Sequence, residues 1–279
     1  MMIIEKITLN NGVEMPLLGL GTYTLQGSVL DNAFGAAYDA GYRLFDTAVL
    51  YGNEENIGAA IVQKHIDRKE LFLVSKVNET PLRGRKRYFH LNKKSVAKCY
   101  EQSCKRLKTD YLDAYLLHHC DATIEEYAEL VNLYKAGKVR AVGLCNISLG
   151  KLQEFVREVD FIPQLIQVQI HPYYTKNELV RFAQDNGIAC EAHTQFGRGN
   201  IDLRSDSVLC SMAKTHKKNV NQIMLRWLMQ RHIISIPRSS NPQHIVSNID
   251  LFDFALTKEE MAAIDALNRN ESYCSYDKP

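Results

Sequence analysis

The sequence predicts an α/β fold, a (β/α)8 TIM barrel in which an N-terminal β-hairpin caps one end. The chain has 279 residues, 46% of them hydrophobic, which is the usual size of one barrel of this type. Eight short apolar runs recur along it, each followed by a charged or amphipathic stretch of helical length. This alternation is typical of parallel βαβ units, and eight units favour a closed barrel, although periodicity alone leaves a large doubly wound sheet open.

The hairpin comes first, in the segment ITLNNGVEMP, where Asn11-Gly12 suits the positive φ angles of a type I′ turn. The eight predicted strands follow at 15–21, 42–48, 71–77, 111–118, 139–146, 165–171, 188–194 and 233–239. After the third strand, the long, basic and aromatic segment 78–94 is either a solvated insertion or part of the substrate entrance. Because no linker, repeat or low-complexity stretch interrupts the pattern, residues 1–279 are expected to form one domain.

Composition narrows the class of partner. The 34 basic and 32 acidic residues nearly cancel, so no net field would draw the protein to nucleic acid or to an anionic membrane. The seven cysteines are scattered from Cys99 to Cys274 without a CxxC pair, which indicates neither a disulfide framework nor a structural zinc site. The beginning of the chain lacks the features of a signal peptide, and no long apolar run follows. We therefore expect a soluble, cytoplasmic protein with no nucleic-acid or membrane partner.

Four polar residues fall at or just after the ends of predicted strands. Asp46, Lys76 and His118 lie near the ends of the second, third and fourth strands, and Tyr51 follows the second. Because the carboxyl ends of the strands share one rim of a parallel barrel, we expect these four side chains to converge. The sequence therefore predicts an active site on this rim.

The chemistry of these four groups is mutually consistent. A tyrosine hydroxyl, with an ordinary pKa of about 10, donates a proton more easily beside a cation that stabilises phenolate, and Lys76 supplies one. Asp46 would keep that lysine charged and oriented, and His118 would donate a hydrogen bond to a substrate oxygen on which charge develops. Nothing in this chemistry requires a metal ion.

Several separated motifs now indicate a family. The segments GYRLFDTAVLYGNEENIGAAI (41–61), LFLVSKV (71–77), LKTDYLDAYLLH (107–118) and IPRSSNPQHIVSNIDLFDFALTKEEM (236–261) resemble the aldo-keto reductases, in the order that the family has them. The resemblance implies that Asp46, Tyr51, Lys76 and His118 form the family's catalytic tetrad. It further implies NADP(H)-dependent reduction of an aldehyde or ketone, with hydride from the nicotinamide and a proton from Tyr51.

The resemblance also implies the cofactor site. Its residues would be Gly21, Thr22, Asp46, Cys145, Asn146, Gln167, His193, Thr194, Phe196, Gly197, Arg238, Ser239, His244 and Asn248. Cys145 stands where the family has a serine against the nicotinamide carboxamide, and His193 stands where it commonly stacks a tyrosine on the ring. Arg238 and Ser239 suit the 2′-phosphate of NADP, whereas His244 replaces a frequent second arginine. We therefore expect NADP(H), with NAD(H) as the alternative.

The substrate pocket is expected to contain Tyr23, Tyr51, His118 and His119. His119-Cys120 replaces the family's usual Trp-Pro, which removes an aromatic wall, and the short tail resembles bacterial-type members with a short C-terminal loop. The first feature predicts a more open or more polar pocket, and the second predicts a pocket that is permissive or suited to small substrates. We expect no metal at His118-His119-Cys120-Asp121, because adjacent residues on a strand point to opposite faces.

Two other functions stay open. Barrels of this family also serve as non-catalytic nucleotide-binding or regulatory subunits, and a barrel of another reaction type, such as a phosphate-handling isomerase or lyase, would not bind NADPH. An intact tetrad argues against the first. Sequence alone does not identify the carbonyl substrate, and we expect a monomer, with a dimer as the alternative.

Overall fold

The computed structural model describes residues 4–77, 96–119, 121–199 and 201–274. It begins with an antiparallel hairpin of β1 (Lys6–Thr8) and β2 (Glu14–Pro16). The predicted type I′ turn at Asn11-Gly12 is wrong, because only Gly12 has a positive φ, of 82°. Its N–H donates to the Leu9 carbonyl at 2.8 Å, so a longer loop is closed by a single glycine in the left-handed region.

The hairpin covers the end of the barrel at which the strands begin. The Asn10 amide donates to the Pro163 carbonyl at 3.1 Å, and the Asn11 amide donates to the Arg140 carbonyl at 2.8 Å. Both carbonyls precede barrel strands. The predicted capping by the hairpin is therefore confirmed, and the cap lies opposite the rim on which the polar residues were expected.

Eight parallel strands follow, and their order in the sheet is their order in the chain. They are β3 (Gly19–Gly21), β4 (Leu44–Asp46), β5 (Phe72–Val77), β6 (Ala114–Leu117), β7 (Val142–Cys145), β8 (Leu165–Gln169), β9 (Ala189–His193) and β10 (Ile233–Ser235). Leu18 bridges Ser235 in parallel, which brings the two edge strands together. A Cβ at Gly21 would lie 2.6 Å from the Ile236 carbonyl oxygen, so this close approach requires glycine. The predicted (β/α)8 barrel is confirmed.

The predicted strands exist, but their bounds are shorter. The first prediction, 15–21, is wrong in its extent, because Met15 and Pro16 pair with β1 and the barrel strand begins only at Gly19. Met15, Leu17, Leu18 and Leu20 are all buried, so one apolar run serves both the hairpin and the barrel. Apolar periodicity does not separate two such partners.

Helices connect the barrel strands and cover the outside of the barrel. They are α1 (Gly27–Ala40), α2 (Glu54–Gln63), α3 (Val96–Leu107), α4 (Ile124–Lys135), α5 (Leu149–Glu158), α6 (Asn177–Asp185), α7 (Ile201–Ser205), α8 (Ser207–His216), α9 (Val220–Gln230), α10 (Pro242–Ile249) and α11 (Lys258–Asp265). Capping boxes at Thr123, Asn219 and Thr257 begin α4, α9 and α11, because each side chain accepts an otherwise unpaired N–H of the first turn.

The helices pack apolar faces onto the barrel, as α9 illustrates. Trp227 is fully buried, and its indole N–H donates to Asp265 at 2.9 Å. Burying the ring removes a large apolar surface from water, and the hydrogen bond satisfies its one polar group. Across the described ranges, no helix combines the length and the apolar character needed to cross a bilayer.

Candidate active site

A cavity of about 550 Å³ opens at the carboxyl ends of the barrel strands. Twelve of the residues predicted for a site line it: Gly21, Tyr23, Asp46, Tyr51, His118, His119, Asn146, Gln167, His193, Thr194, Phe196 and Arg238. They come from segments that span more than two hundred residues of sequence, and the shared rim of a parallel barrel brings them together. The cavity therefore lies where the sequence predicted a site.

Lys76, next to the last residue of β5, is fully buried beneath the cavity. Its ammonium lies 2.7 Å from each Asp46 carboxylate oxygen, 2.9 Å from the Thr47 carbonyl and 3.4 Å from the Tyr51 hydroxyl. Burial alone would lower the pKa of Lys76, but the adjacent Asp46 carboxylate outweighs it and raises that pKa above its usual range. The lysine is therefore a fixed cation beside the phenol.

Tyr51 ends a short 3-10 helix, Val49–Tyr51, and Gly52 leaves it with a positive φ of 65°. The Gln26 side chain donates to the Tyr51 carbonyl at 2.6 Å, which anchors this turn to the start of α1. Burial raises the pKa of the Tyr51 hydroxyl above its ordinary value, and the positive charge of Lys76 partly opposes that shift. The hydroxyl thus keeps its proton at neutral pH, next to a cation that would stabilise its phenolate.

His118 follows β6 and places its ring 5.7 Å, centroid to centroid, from the Tyr51 ring. Burial, followed by the positive charge of Lys76, lowers the pKa of His118 well below its ordinary range. The imidazole is therefore neutral and keeps one N–H to donate. Its Nδ1 atom is buried and has no hydrogen-bond partner among the described residues.

Asn146 connects two histidines of the cavity wall. Its amide nitrogen donates to the His118 carbonyl at 2.9 Å, so its amide oxygen faces His193 Nε2, also at 2.9 Å. Since an amide oxygen only accepts, Nε2 of His193 must carry the hydrogen and Nδ1 must accept from the Thr194 hydroxyl at 2.9 Å. Burial lowers the pKa of His193 to about 3, which keeps this neutral tautomer over the physiological range.

Gln167 connects two carboxyl groups, and one of them was missed by the sequence analysis. Its amide nitrogen donates to Asp46 at 2.9 Å and to Glu191 at 2.7 Å. Gln167 and Glu191 are register partners on β8 and β9, so their side chains point to the same face. The sequence feature that could have identified Glu191 is a carboxylate within the predicted strand that contains ACEAH. Burying a charge in a strand is costly, so such a residue indicates a specific role.

The remaining predicted residues do not line the cavity. Thr22 is buried and donates its hydroxyl to the Asp46 carbonyl at 2.9 Å. Cys145 is also buried, and this burial raises the pKa of its thiol. Gly197 is buried against Tyr273. Ser239, His244 and Asn248 lie farther along the chain, just before or within α10, which Asn241 caps.

The expectation that His118 and His119 point to opposite faces is wrong. Strand β6 ends at Leu117, so the strand alternation does not extend to these residues. Both rings line the cavity with centroids 5.6 Å apart. Tyr23, which is 51% exposed, contacts the Tyr51 ring edge-on at 5.1 Å. Cys120 and the segment 78–94 lie outside the described residues.

The sequence analysis also missed two cations at the cavity wall. Arg198, in the loop after β9, and Arg204, on α7, line the cavity together with Arg238. Neither arginine lies at the end of a predicted strand. The loop and the short helix that contain them are not part of the strand–helix alternation from which the site was predicted. Their charges make this part of the cavity suitable for an anionic ligand.

Comparisons with known proteins agree with this architecture. Residues 17–269 match the Aldo/keto reductase family, and the chain belongs to that family. Glyoxal reductase of Bacillus subtilis is 37% identical over 271 residues, which cover 96% of this chain and 94% of the relative. Morphine 6-dehydrogenase of Pseudomonas putida is 34% identical over 277 residues, which cover 94% of this chain and 90% of the relative.

Solved structures give the same result. An aldo-keto reductase enzyme, MGS-M4, from a Medee basin deep-sea metagenome library superposes with a TM-score of 0.87 at 33% identity, covering 98% of this chain and 99% of the other. Bombyx mori aldo-keto reductase in complex with NADP also superposes with a TM-score of 0.87, at 32% identity, covering 99% of this chain and 96% of that one. The predicted family is therefore confirmed.

Proposed function

We propose that this protein is an NADP(H)-dependent carbonyl reductase that uses Tyr51 as its proton donor. The observation that carries the proposal is the 3.4 Å contact between the Tyr51 hydroxyl and the buried Lys76 ammonium, at the wall of a cavity open to small molecules. A phenol that holds its proton and lies beside a permanent cation is suited to give that proton to a carbonyl oxygen.

The charged and polar residues at the site fit NADP(H), a nicotinamide adenine dinucleotide phosphate. Arg198, Arg204 and Arg238 supply positive charge for phosphate groups. Outside the cavity lining, on α10, the amide oxygen of Asn248 is buried without a hydrogen-bond partner among the described residues, and it would accept a hydrogen bond from an adenine amine. When bound, the reduced cofactor supplies hydride to the carbonyl carbon. Gln167 and Asn146 would hold its carboxamide, as the family resemblance implies.

Each residue of the tetrad then has one task. Tyr51 donates its proton to the carbonyl oxygen as negative charge develops there, and Lys76 stabilises the resulting phenolate. Asp46, with both carboxylate oxygens 2.7 Å from the ammonium, holds Lys76 in place and charged. Neutral His118 donates a hydrogen bond that orients the carbonyl oxygen. Proton return to Tyr51 from solvent completes the cycle.

The test is Tyr51→Phe, which removes the proton donor and keeps the ring. We expect NADPH oxidation with aldehydes to fall at least about 100-fold, the range that a positioned general acid contributes, while the dissociation constant for NADPH changes little. A carbonyl panel that begins with glyoxal follows the name of the Bacillus subtilis relative. Wild-type protein that binds NADPH but reduces no carbonyl would favour a non-catalytic, nucleotide-binding role, and absence of NADPH binding would favour a barrel of another reaction type.

The proposal extends to location. The described cysteines form no disulfide; they are Cys99, Cys104, Cys145, Cys190, Cys210 and Cys274. Cysteines that are not in disulfides are typical of reducing compartments, which supports a cytoplasmic protein. Cell fractionation with an antibody against the chain tests this, and recovery in a membrane or extracellular fraction would contradict it.

A further inference from the structure

Glu191 is a fully buried carboxyl group in the middle of β9, with Cys190 and Ala192 on either side of it. Its Oε2 atom accepts a hydrogen bond from the Gln167 amide at 2.7 Å, whereas its Oε1 atom is buried without a hydrogen-bond partner among the described residues. A carboxyl group in this setting costs stability, so it calls for a role other than packing. Its contact with a cavity residue indicates what that role is.

The hydrogen bonds of Gln167 decide which of its groups a ligand meets. A glutamine amide has two N–H donors and one carbonyl acceptor. Both donors are used below the cavity, one on Asp46 at 2.9 Å and the other on Glu191 at 2.7 Å. The amide oxygen is the group that remains, and Gln167 lines the cavity. Without Glu191, one donor would be released and the amide could turn.

We propose that Glu191 is a positioning residue that fixes the orientation of the Gln167 amide, so that the cavity presents an acceptor and selects a ligand with an N–H donor. The inference rests on the proposed function, in which that ligand is the primary carboxamide of the nicotinamide. Glu191 does not touch the ligand itself. It acts through the register pair that joins β8 to β9.

This role does not depend on the charge of Glu191. Burial, followed by the negative charge of Asp46, raises the pKa of Glu191 to about 8, so the group is largely protonated at neutral pH. A carboxylic acid still has one acceptor oxygen, and a proton on the unpartnered Oε1 leaves Oε2 free to accept from Gln167. The acceptor atom, rather than the net charge, is therefore what positions the amide.

The experiment compares two cofactors in their binding, without turnover. NADPH carries the carboxamide, whereas its 3-acetylpyridine analogue carries a methyl ketone and has no N–H donor at that place. We expect calorimetric dissociation constants of the wild-type protein to favour NADPH by about tenfold, the value of one hydrogen bond. Glu191→Met, which keeps the volume and removes the acceptor, should reduce this preference to less than about twofold.

Four further variants make the result specific. Gln167→Met should abolish the preference to the same extent, and adding Glu191→Met to it should change nothing more, since the two act through one contact. Glu191→Gln keeps an acceptor oxygen and should retain the preference, and it remains informative if Glu191→Met does not fold. Glu54→Met removes a buried carboxylate that pairs with Arg106 away from the cavity, and should leave the preference unchanged.

The outcomes separate the two proposals. If Glu191→Met weakened the binding of both nucleotides equally, or kept the wild-type preference for NADPH, the positioning role would be overturned while the proposed function stands. Loss of the preference in folded Glu191→Gln would also overturn it. Wild-type protein that binds neither nucleotide would overturn the proposed function and, with it, the role of Glu191.

Discussion

His193 Nε2 donates to the Asn146 amide oxygen at 2.9 Å, and the nitrogen of the same amide donates to the His118 carbonyl at 2.9 Å. A cavity residue at the end of β9 is thereby connected to the backbone of His118, which follows the last residue of β6. The tyrosine that the family commonly has in place of His193 presents a ring with one hydroxyl at its far end, so this contact is a property of the imidazole. His193 therefore has a hydrogen-bonding role in addition to any stacking.

Replacing His193 tests this role. His193→Phe keeps a flat ring and removes both nitrogen atoms, which frees the Asn146 amide to rotate. We expect the dissociation constant for NADPH to rise about tenfold, since one buried hydrogen bond contributes about 1 kcal/mol and its unpaired partner costs more. Fluorescence titration measures the constant. His193→Gln, which can donate to the same amide oxygen, is the control and should lose less affinity, and equal losses in the two variants would contradict the role.

The buried Lys76–Asp46 pair makes a second prediction, about stability and activity together. Lys76→Met leaves the Asp46 carboxylate buried without its cation, which should cost about 3–5 kcal/mol in the free energy of unfolding. The double variant Lys76→Met/Asp46→Asn should recover part of that stability but no activity, because the phenolate of Tyr51 would still lack a cation. Urea unfolding and NADPH-linked turnover measure the two effects.

A matched control uses a second ion pair. Arg106→Met breaks the contact with the buried Glu54, at 2.6 Å, away from the cavity. It should destabilise the fold while turnover persists at temperatures where the variant is folded. If Lys76→Met retained near wild-type turnover, Lys76 would have no part in the proton transfer.

The pKa of Glu191 predicts a dependence of stability on pH. Its pKa is raised from an ordinary value of 4.5 to about 8 in the folded state, because burial disfavours the charged form. Between these two pH values the folded state holds a proton that the unfolded state has lost. The contribution of Glu191 to stability is therefore complete below pH 4.5 and is lost as the pH rises through 8.

Glu191→Gln removes this titration and keeps the shape. We expect the wild-type protein to lose more unfolding free energy than Glu191→Gln between pH 5 and pH 9, by a few kcal/mol at most. Denaturant unfolding at a series of pH values gives the difference. Parallel curves for the two proteins over that range would contradict the raised pKa.

Arg238 should determine the preference between cofactors. It is exposed at the cavity wall, and its Nε donates to the Tyr23 carbonyl at 3.3 Å, which orients the guanidinium. Arg238→Gln removes the charge that would pair with a 2′-phosphate. We expect the ratio of kcat/KM for NADPH to that for NADH to fall by about 10-fold to 150-fold, since a charge-assisted hydrogen bond contributes about 1.5–3 kcal/mol.

The control for Arg238 is Arg157, which is exposed on α5 and does not line the cavity. Arg157→Gln changes the net charge equally and should leave the ratio unchanged. A wild-type protein with a clear NADH advantage would contradict the expected preference for NADP(H).

Much of the site could be predicted because its residues are tied to strand ends. Asp46 ends β4 and His193 ends β9, and strand ends are visible in the apolar pattern. His119 was misjudged because β6 ends at Leu117, and the exact end of a strand depends on pairing with its neighbours rather than on local composition. The prediction of a type I′ hairpin turn was wrong because Asn11-Gly12 is compatible with more than one loop length, and the pairing of the two strands decides which one forms.

The sequence by itself determined the eight-fold alternation of strand and helix, the rim on which polar residues gather, and the family, because these depend on the order and spacing of residue types along the chain. Only the tertiary structure decided that the Gln167 amide donates both of its hydrogens to carboxyl groups. It also decided that Asn146 connects His193 to His118. Those contacts join residues of different strands through hydrogen bonds that require atoms to lie about 3 Å apart. Register and side-chain rotamers set such distances, and a linear pattern contains neither.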